Sequence, residues 1–519
     1  MNHQFKRKPQ TPLSQSLPLC IDMSFNLILK NYPSIKLSPF SYSVFSNMFT
    51  SSTKPTRTLC KSLAISILIL YIIYIISCSQ SSLLFTNLTS NRPNHANTLF
   101  LSPTNVTHLV FGIASSSNTW RARRRYIESW WRPNVTQGFI FLDRTRRDFF
   151  PWPPSSPPLR ISEDTSRYRD FNKHRFQQAI RVVHMVAEAF AAANDGVRWY
   201  IMTDDDTIVF VDNLVGVLRK YDHRKYFYVG ANAESISSNW FHSFEMGFGG
   251  AGYALSYPLA ELVVKNLDVC IKRYPTLYGS DHVMQSCIAD LGVSLTQEKG
   301  FHQIDLRHDI SGFLSAHPQS PLISLHHLDA FDPIFPSIDR PNSLNHLMKA
   351  AKADSSRLLQ QTICYHNESN RTFSISWGYS AHVYQGTYPP SVLLRPLETF
   401  VPWSRAAKPP YMFNTRVLSR NPCEAPHVFY FDSVEEESYE KDYVVTSYNL
   451  TGTPPRLLAC SSGGNRYSAN YVDRIRVLSP LKRYTEVGSR RECCDIVQEA
   501  GMNTSEVKLR ACMKHELLA

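Results

Sequence analysis

From residue 108 onward the chain alternates short apolar blocks with stretches of helical periodicity. His108 to Ala114 is a continuous apolar run of strand length that leads into a Ser-rich turn. Trp120 to Trp131 follows as a basic amphipathic helix, and Gly138 to Leu142 predicts a second strand. Lys173 to Ala193 places Ala179, Val182, Val183, Val186, Ala187 and Phe190 at helical spacing, and Trp199 to Met202 reads as the end of a buried strand. This succession predicts an α/β fold with a mostly parallel sheet covered on both faces. After Arg340 the pattern changes. A helix is expected over Leu344 to Gln361. Then Phe373, Ile375, Trp377 and Tyr379 alternate with Ser374, Ser376, Gly378 and Ser380, the period of a half-buried strand. His427 to Phe431, Tyr443 to Tyr448 and Tyr471 to Leu478 are similar, so the C-terminal part is expected to be β-rich.

One segment fits neither pattern. Ser62 to Ser79 runs 18 residues without a charge and shows no amphipathic stripe, and no further charge follows until Arg92. The segment can therefore reach the roughly 20 residues that a bilayer core requires. A cleaved signal peptide is a poor match, because some sixty residues precede the run. The flank on its N-terminal side is basic, so the expected topology keeps the tail in the cytosol and the bulk in a lumen.

Charge and cysteines agree with that topology. The net charge is +12, but residues 1–61 hold eight Lys and Arg against the single Asp22, which accounts for +7 of it. The rest carries no basic stripe interleaved with stacking aromatics, which argues against a nucleic-acid partner. Sequons occur at Asn87, Asn105, Asn134, Asn367, Asn370, Asn449 and Asn503, all beyond the apolar run. So do eight cysteines: Cys270, Cys287, Cys364, Cys423, Cys460, Cys493, Cys494 and Cys512. Their even number suits disulfides in an oxidising compartment, and Cys270 with Cys287 is a plausible local pair.

The sharpest chemical signal is Asp204-Asp205-Asp206, set between Trp199 to Met202 and the apolar Ile208 to Val211. Three adjacent carboxylates repel one another, and a low-dielectric rim raises that cost. A hard divalent cation such as Mg²⁺ or Mn²⁺ relieves it, since such ions take oxygen ligands and bridge to phosphates. In open α/β sheets ligands bind beyond the carboxyl ends of strands, where this run is expected. Downstream, Phe248 to Ser256 (FGGAGYALS) packs three glycines into four residues and enters a helix-like stretch. Its spacing is not that of a phosphate-binding loop, but its glycines permit close backbone approach to a ligand. Tyr278-Gly279-Ser280-Asp281-His282 and Ser324-Leu325-His326-His327-Leu328-Asp329 follow.

Taken in order, these pieces resemble the fringe-like inverting β-1,3-glycosyltransferases of glycosyltransferase family 31, with the nearest likeness to the plant fringe-related branch. The matching residues are Arg123 to Trp130, Thr203 to Asp206, the GGAGYALS segment, Ser280-Asp281 and His326-His327, spanning about 105 to 335. The resemblance implies a GT-A-like fold, a UDP-sugar donor, Mn²⁺, and a glycan or glycoprotein acceptor. It implies Asp206 and His326, preferred over His327, as metal ligands. Asp204 and Asp205 would contact donor ribose or metal-bound water, with Gly250 and Gly252 at the donor. Asp281 would be the base that deprotonates the acceptor hydroxyl in a single displacement. Arg123, with Arg124 and Arg125, either binds donor phosphate or forms a solvated face, and Asp281 could instead cap the helix that follows it. Ser280 departs from many relatives, which carry an acidic residue there.

The expected layout is a disordered cytosolic tail over 1–61, a transmembrane helix over 62–79 and a stem over 80–104. A catalytic domain over 105–335 follows, then a linker helix and β-rich, disulfide-containing domain over 336–519. This describes a type II Golgi membrane glycosyltransferase. Two rivals share the features: a lumenal carbohydrate-binding or scaffold protein with a degenerate transferase fold, and a metal-dependent hydrolase using water as acceptor.

Overall fold

The computed structural model describes residues 102–518, apart from 169–177, 194, 405–407, 422, 437–442, 452–471, 482–491 and 498–502. The expected tail and transmembrane segment lie outside the described residues, as does the stem up to residue 101. Among the described residues no helix is long and apolar enough to cross a membrane.

In chain order the strands are β1 (Leu109–Ala114), β2 (Gln137–Leu142), β3 (Leu159–Ile161), β4 (Trp199–Asp204), β5 (Ile208–Val209), β6 (Tyr228–Gly230), β7 (Tyr253–Ser256) and β8 (Leu295–Gln297). Then come β9 (Phe301–His302), β10 (Leu306–His308), β11 (Ser324–Leu325), β12 (Gln361–His366), β13 (Arg371–Ser376), β14 (Ser380–Gln385) and β15 (Phe400–Pro402). The last are β16 (His427–Glu436), β17 (Tyr443–Leu450), β18 (Arg474–Pro480), β19 (Cys493–Val497) and β20 (Thr504–Arg510). Seven of them form a sheet in the order β3-β2-β1-β4-β7-β6-β8. The fold is mixed α/β with a sheet of mainly parallel strands, but β7 runs antiparallel to both β4 and β6.

Period-two alternation explains how this sheet is covered. Leu109, Phe111 and Ile113 of β1 and Trp199 and Ile201 of β4 enter one core. Val110, Ala114, Tyr200 and Met202 enter the other, under the helices Gln178–Ala192, Tyr257–Arg273 and Ser280–Asp290. Cys270 and Cys287 join the last two of these helices.

Several local expectations need correction. Ile208 to Val211 is not one strand: β5 pairs over only two residues with β11, and Val211 opens the helix Val211–Leu218. The YALS half of the glycine segment is β7 and fully buried, and the helix starts only at Tyr257, where Pro258 suits a first turn. The helix expected over Leu344 to Gln361 is Arg340–Ala353, capped by the Asp339 side chain on the Asn342 N–H. Gln361 belongs to β12. The alternating run from Phe373 is a hairpin, β13 and β14, buried on both faces rather than one.

The C-terminal strands form an eight-stranded sheet, β12-β13-β14-β16-β17-β18-β20-β19. Cys364 of β12 and Cys494 of β19 are disulfide-bonded, which brings the two edge strands together. Cys493 pairs with Cys512. Cys423 is also disulfide-bonded, and Cys460 lies outside the described residues. The expected boundary near residue 336 separates two sheets but not two cores. One apolar cluster runs from Leu109 through Phe335 and Leu344 to Leu509, and Ser102–Ala519 is a single compact unit. A further strand pair, β10 with β15, ties the region after residue 336 to the segment just after Asp305.

Candidate metal site

Asp204 ends β4, and Asp205 and Asp206 form the turn that follows, at the carboxyl end of the strand. The three carboxylates have three different surroundings. Asp205 is buried, and its oxygens accept hydrogen bonds from Ser115 Oγ (2.6 Å), Thr119 Oγ1 (3.2 Å) and Arg123 Nη1 (2.9 Å). These three protein donors tie it to the framework and occupy most of its acceptor capacity. Asp206 is also buried, and its Oδ1 lies 3.2 Å from His326 Nε2. Asp204 keeps 40% of its side chain exposed, with Oδ2 3.8 Å from the same nitrogen.

One ligand atom from each of Asp204, Asp206 and His326 lies within 4.8 Å of the others. The set fits a divalent ion by more than proximity. Asp206 Oδ1 is buried with no hydrogen-bond partner, so its approach to His326 Nε2 is not an aligned hydrogen bond. Neighbouring ligands of an octahedral ion with bonds of about 2.1 Å sit about 3 Å apart, close to the observed spacing. Two carboxylates with one imidazole suit Mn²⁺ better than a thiolate-preferring ion. His327 points elsewhere. At φ 60° it turns its Nδ1 to Asp305 Oδ1, 3.2 Å away.

A second cluster, Glu234, His302 and His317, is less suited to a metal. Both Glu234 oxygens are already engaged, by His302 Nδ1 and by the Ile304 N–H.

Electrostatics separate the acids further. Burial would raise the Asp206 carboxyl, but the His326 ring and the Arg123 guanidinium beside it hold it well below its usual range. Asp204 is raised well above its usual range by desolvation and by Asp206, Asp281 and Asp205. Its partial exposure makes the desolvation share smaller than full burial would, and carboxylate repulsion acts in the same direction. Of the three consecutive arginines, Arg124 and Arg125 are solvent-exposed and Arg123 faces inward. Arg123 contacts Asp205, Asp206 (3.2 Å) and Asp329 (2.7 Å). With these three carboxylates around it, it ties Asp205 and Asp206 to Asp329. Asp329 also accepts a bond from Tyr126, and its motif had shown no role for it.

The glycines act sterically. A Cβ on Gly250 would lie 2.1 Å from His326 Cε1, and one on Gly249 2.4 Å from Asp281 Oδ1. Any side chain at either position would displace a site residue. Gly252, at φ 91°, provides the turn into β7. Gly249 and Gly250 are thus seats for the site, Gly249 making room for Asp281 and Gly250 for His326.

Asp281 lies in the first turn of Ser280–Asp290, but Gly279 occupies the N-cap. The Asp281 carboxylate instead reaches across to accept the Gly249 N–H at 2.9 Å, with Ser280 Oγ at 3.0 Å. It lines a cavity of about 1030 Å³ together with Asp305, His327 and Trp403. Asp305 is buried. Burial would raise its carboxyl, but the His327 bond holds it below the usual range and raises His327 in turn. The His327 ring stacks on His326 (3.9 Å between centroids) and on Trp403 (4.6 Å, 4° between planes), and Arg307 covers Trp403 at 4.5 Å. Trp403 follows β15 directly, and its N–H donates to the Asp305 carbonyl. The region after residue 336 therefore buttresses the histidine pair, a contact that local sequence pattern could not reveal.

Among solved structures, the chain is similar to the mannosyltransferase PcManGT from Pyrobaculum calidifontis in complex with GDP-Man and Mn²⁺. That match is 12% identical with TM-score 0.26, covering 46% of this chain and 67% of that one. It is also similar to mouse xyloside xylosyltransferase 1 in its apo form, at 10% identity and TM-score 0.24, covering 36% of this chain and 81% of the other. Residues 238–494, just under half of the chain, match the family described as "Protein of unknown function, DUF604", a match that takes in Asp281, His326 and Trp403.

Proposed function

We propose that this chain is a metal-dependent inverting glycosyltransferase. It moves a hexosyl group of the galactose or N-acetylglucosamine type from a UDP-sugar to a glycan or glycoprotein, in β-1,3 linkage. The observation that carries the reading is the convergence of Asp204, Asp206 and His326 at the end of β4, with Asp281 nearby on the wall of an open cavity. Asp204, Asp206 and His326 would hold Mn²⁺, which supplies Lewis-acid stabilisation of the departing diphosphate. Arg123 balances the charge of Asp205 and Asp206 and keeps both oriented. Asp281, held in place by the Gly249 N–H, takes the proton from the acceptor hydroxyl as that oxygen attacks the anomeric carbon. Inversion needs one base and no carboxylate nucleophile. Full-length protein should bind one of a panel of UDP-sugars only with Mn²⁺ present and should transfer its sugar to added glycans. Hydrolysis of the donor regardless of acceptor would favour the hydrolase instead, and absence of binding to every UDP-sugar would favour a binding protein.

We also propose a single-pass type II placement in the Golgi membrane with the site in the lumen. The uncharged run over 62–79, its basic N-terminal flank and the one-sided sequons support it. Protease added to sealed microsomes should remove about sixty N-terminal residues and spare the glycosylated remainder. Digestion of the remainder would reverse the orientation.

A further inference from the structure

The cavity that Asp281 lines has an aromatic lip. Trp240 and Phe241, consecutive at the end of the helix Ile236–Phe241, are 81% and 63% exposed. Two large neighbouring rings in water are unfavourable unless something covers them in use. The helix beneath them is pinned. Buried Asn239 donates to the Ala233 and Ser235 carbonyls and accepts the Ala233 N–H, and the Ile236 N–H donates to the Pro410 carbonyl. The rings are therefore presented on a fixed support. Phe241 packs edge-on against Tyr278 (5.5 Å) and His242 (4.9 Å), whereas Trp240 meets no other ring among the described residues. All four side chains line the cavity.

We propose that Trp240 and Phe241, with Tyr278, form a stacking platform for an oligosaccharide acceptor, which they hold so that one hydroxyl reaches Asp281. This rests on the transfer reading above and adds the surface that recognises the acceptor. A pyranose has an apolar C–H face and a rim of hydroxyls. The C–H face suits the electron-rich face of an indole or phenyl ring. The hydroxyls suit the polar groups on the same wall, Gln303, Asp281 and His242. The volume of about 1030 Å³ is at the top of the range for a drug-sized ligand, about 300–1,000 Å³, and accommodates more than one sugar ring.

The test is retention of full-length protein on a printed array of oligosaccharides covering α- and β-linked hexose, pentose and N-acetylhexosamine chains. It is run in EDTA without donor, so failure of the metal-dependent transfer reading would leave it unaffected. Wild type should bind a defined subset, and Trp240→Ala and Phe241→Ala should each weaken that binding about tenfold or more. Both side chains are exposed, so neither change opens the core, and unchanged thermal melting would verify the fold. Absence of retention on any saccharide, or equal retention by both variants, would overturn the proposal. So would light scattering showing a dimer that Trp240→Ala dissolves, since the lip would then be a self-association surface.

Discussion

Asp206→Asn should weaken Mn²⁺-dependent donor binding by about two orders of magnitude or more while the protein still folds. The side chain is buried with one oxygen unpartnered and 3.2 Å from the His326 ring, so it contributes to the site rather than to the framework. Arg123 keeps Asp205 and Asp329 after the change, which limits the structural damage. Asp205→Asn is the control for position, because its three protein donors make it a framework residue. Calorimetric titration of UDP-sugar with and without Mn²⁺ measures the effect. Wild-type affinity with wild-type metal dependence in Asp206→Asn would remove Asp206 from the metal shell.

Asp281→Asn should leave donor and metal binding near wild type and lower turnover by about 10² or more, the usual scale for losing a proton acceptor. The substitution is nearly isosteric, and the amide oxygen can still accept the Gly249 N–H that positions the group. Gly279, not Asp281, holds the N-cap, so the helix start does not depend on the carboxylate. A large fall in rate therefore reports chemistry rather than folding. Transfer within a few-fold of wild type would make Asp281 structural. The base would then be sought at Asp305, which faces the same cavity, and not at Asp309, whose carboxylate holds Ser311.

Much that depends on neighbours in the chain was legible in the sequence: β1, β2 and β4 with the helices between them (though not β3), the aspartates at a strand end, and the pairing of Cys270 with Cys287 across 17 residues. Side-chain periodicity and short loop closure determine these directly. The glycine segment was misjudged because YALS is apolar enough for either element. Pairing with β4 and β6 decided in favour of a strand. The half-buried pattern from Phe373 failed because one face of that hairpin enters the shared core while Ser374 and Ser376 on the other are covered by Gln361 and the Leu314 carbonyl, so the serines are buried as well.

The contacts within the site are set only by folding. Arg123 reads as one of three equivalent cations until Asp329, 206 residues away, meets it together with Asp205 and Asp206. Gly250 looks like a turn glycine until His326 needs the space its Cβ would fill. His326 and His327 are adjacent and alike in sequence, and the positive φ of His327 sends one ring toward Asp305 while the other faces Asp206. The sequence by itself determined which chemical groups are present and which strand end carries the carboxylates, because those follow from residue type and period. Tertiary structure alone decided which carboxylate stays unsatisfied and which ring faces it, and that Trp403 backs the histidine pair. Each of those depends on packing between segments far apart in the chain, and no local spacing encodes it.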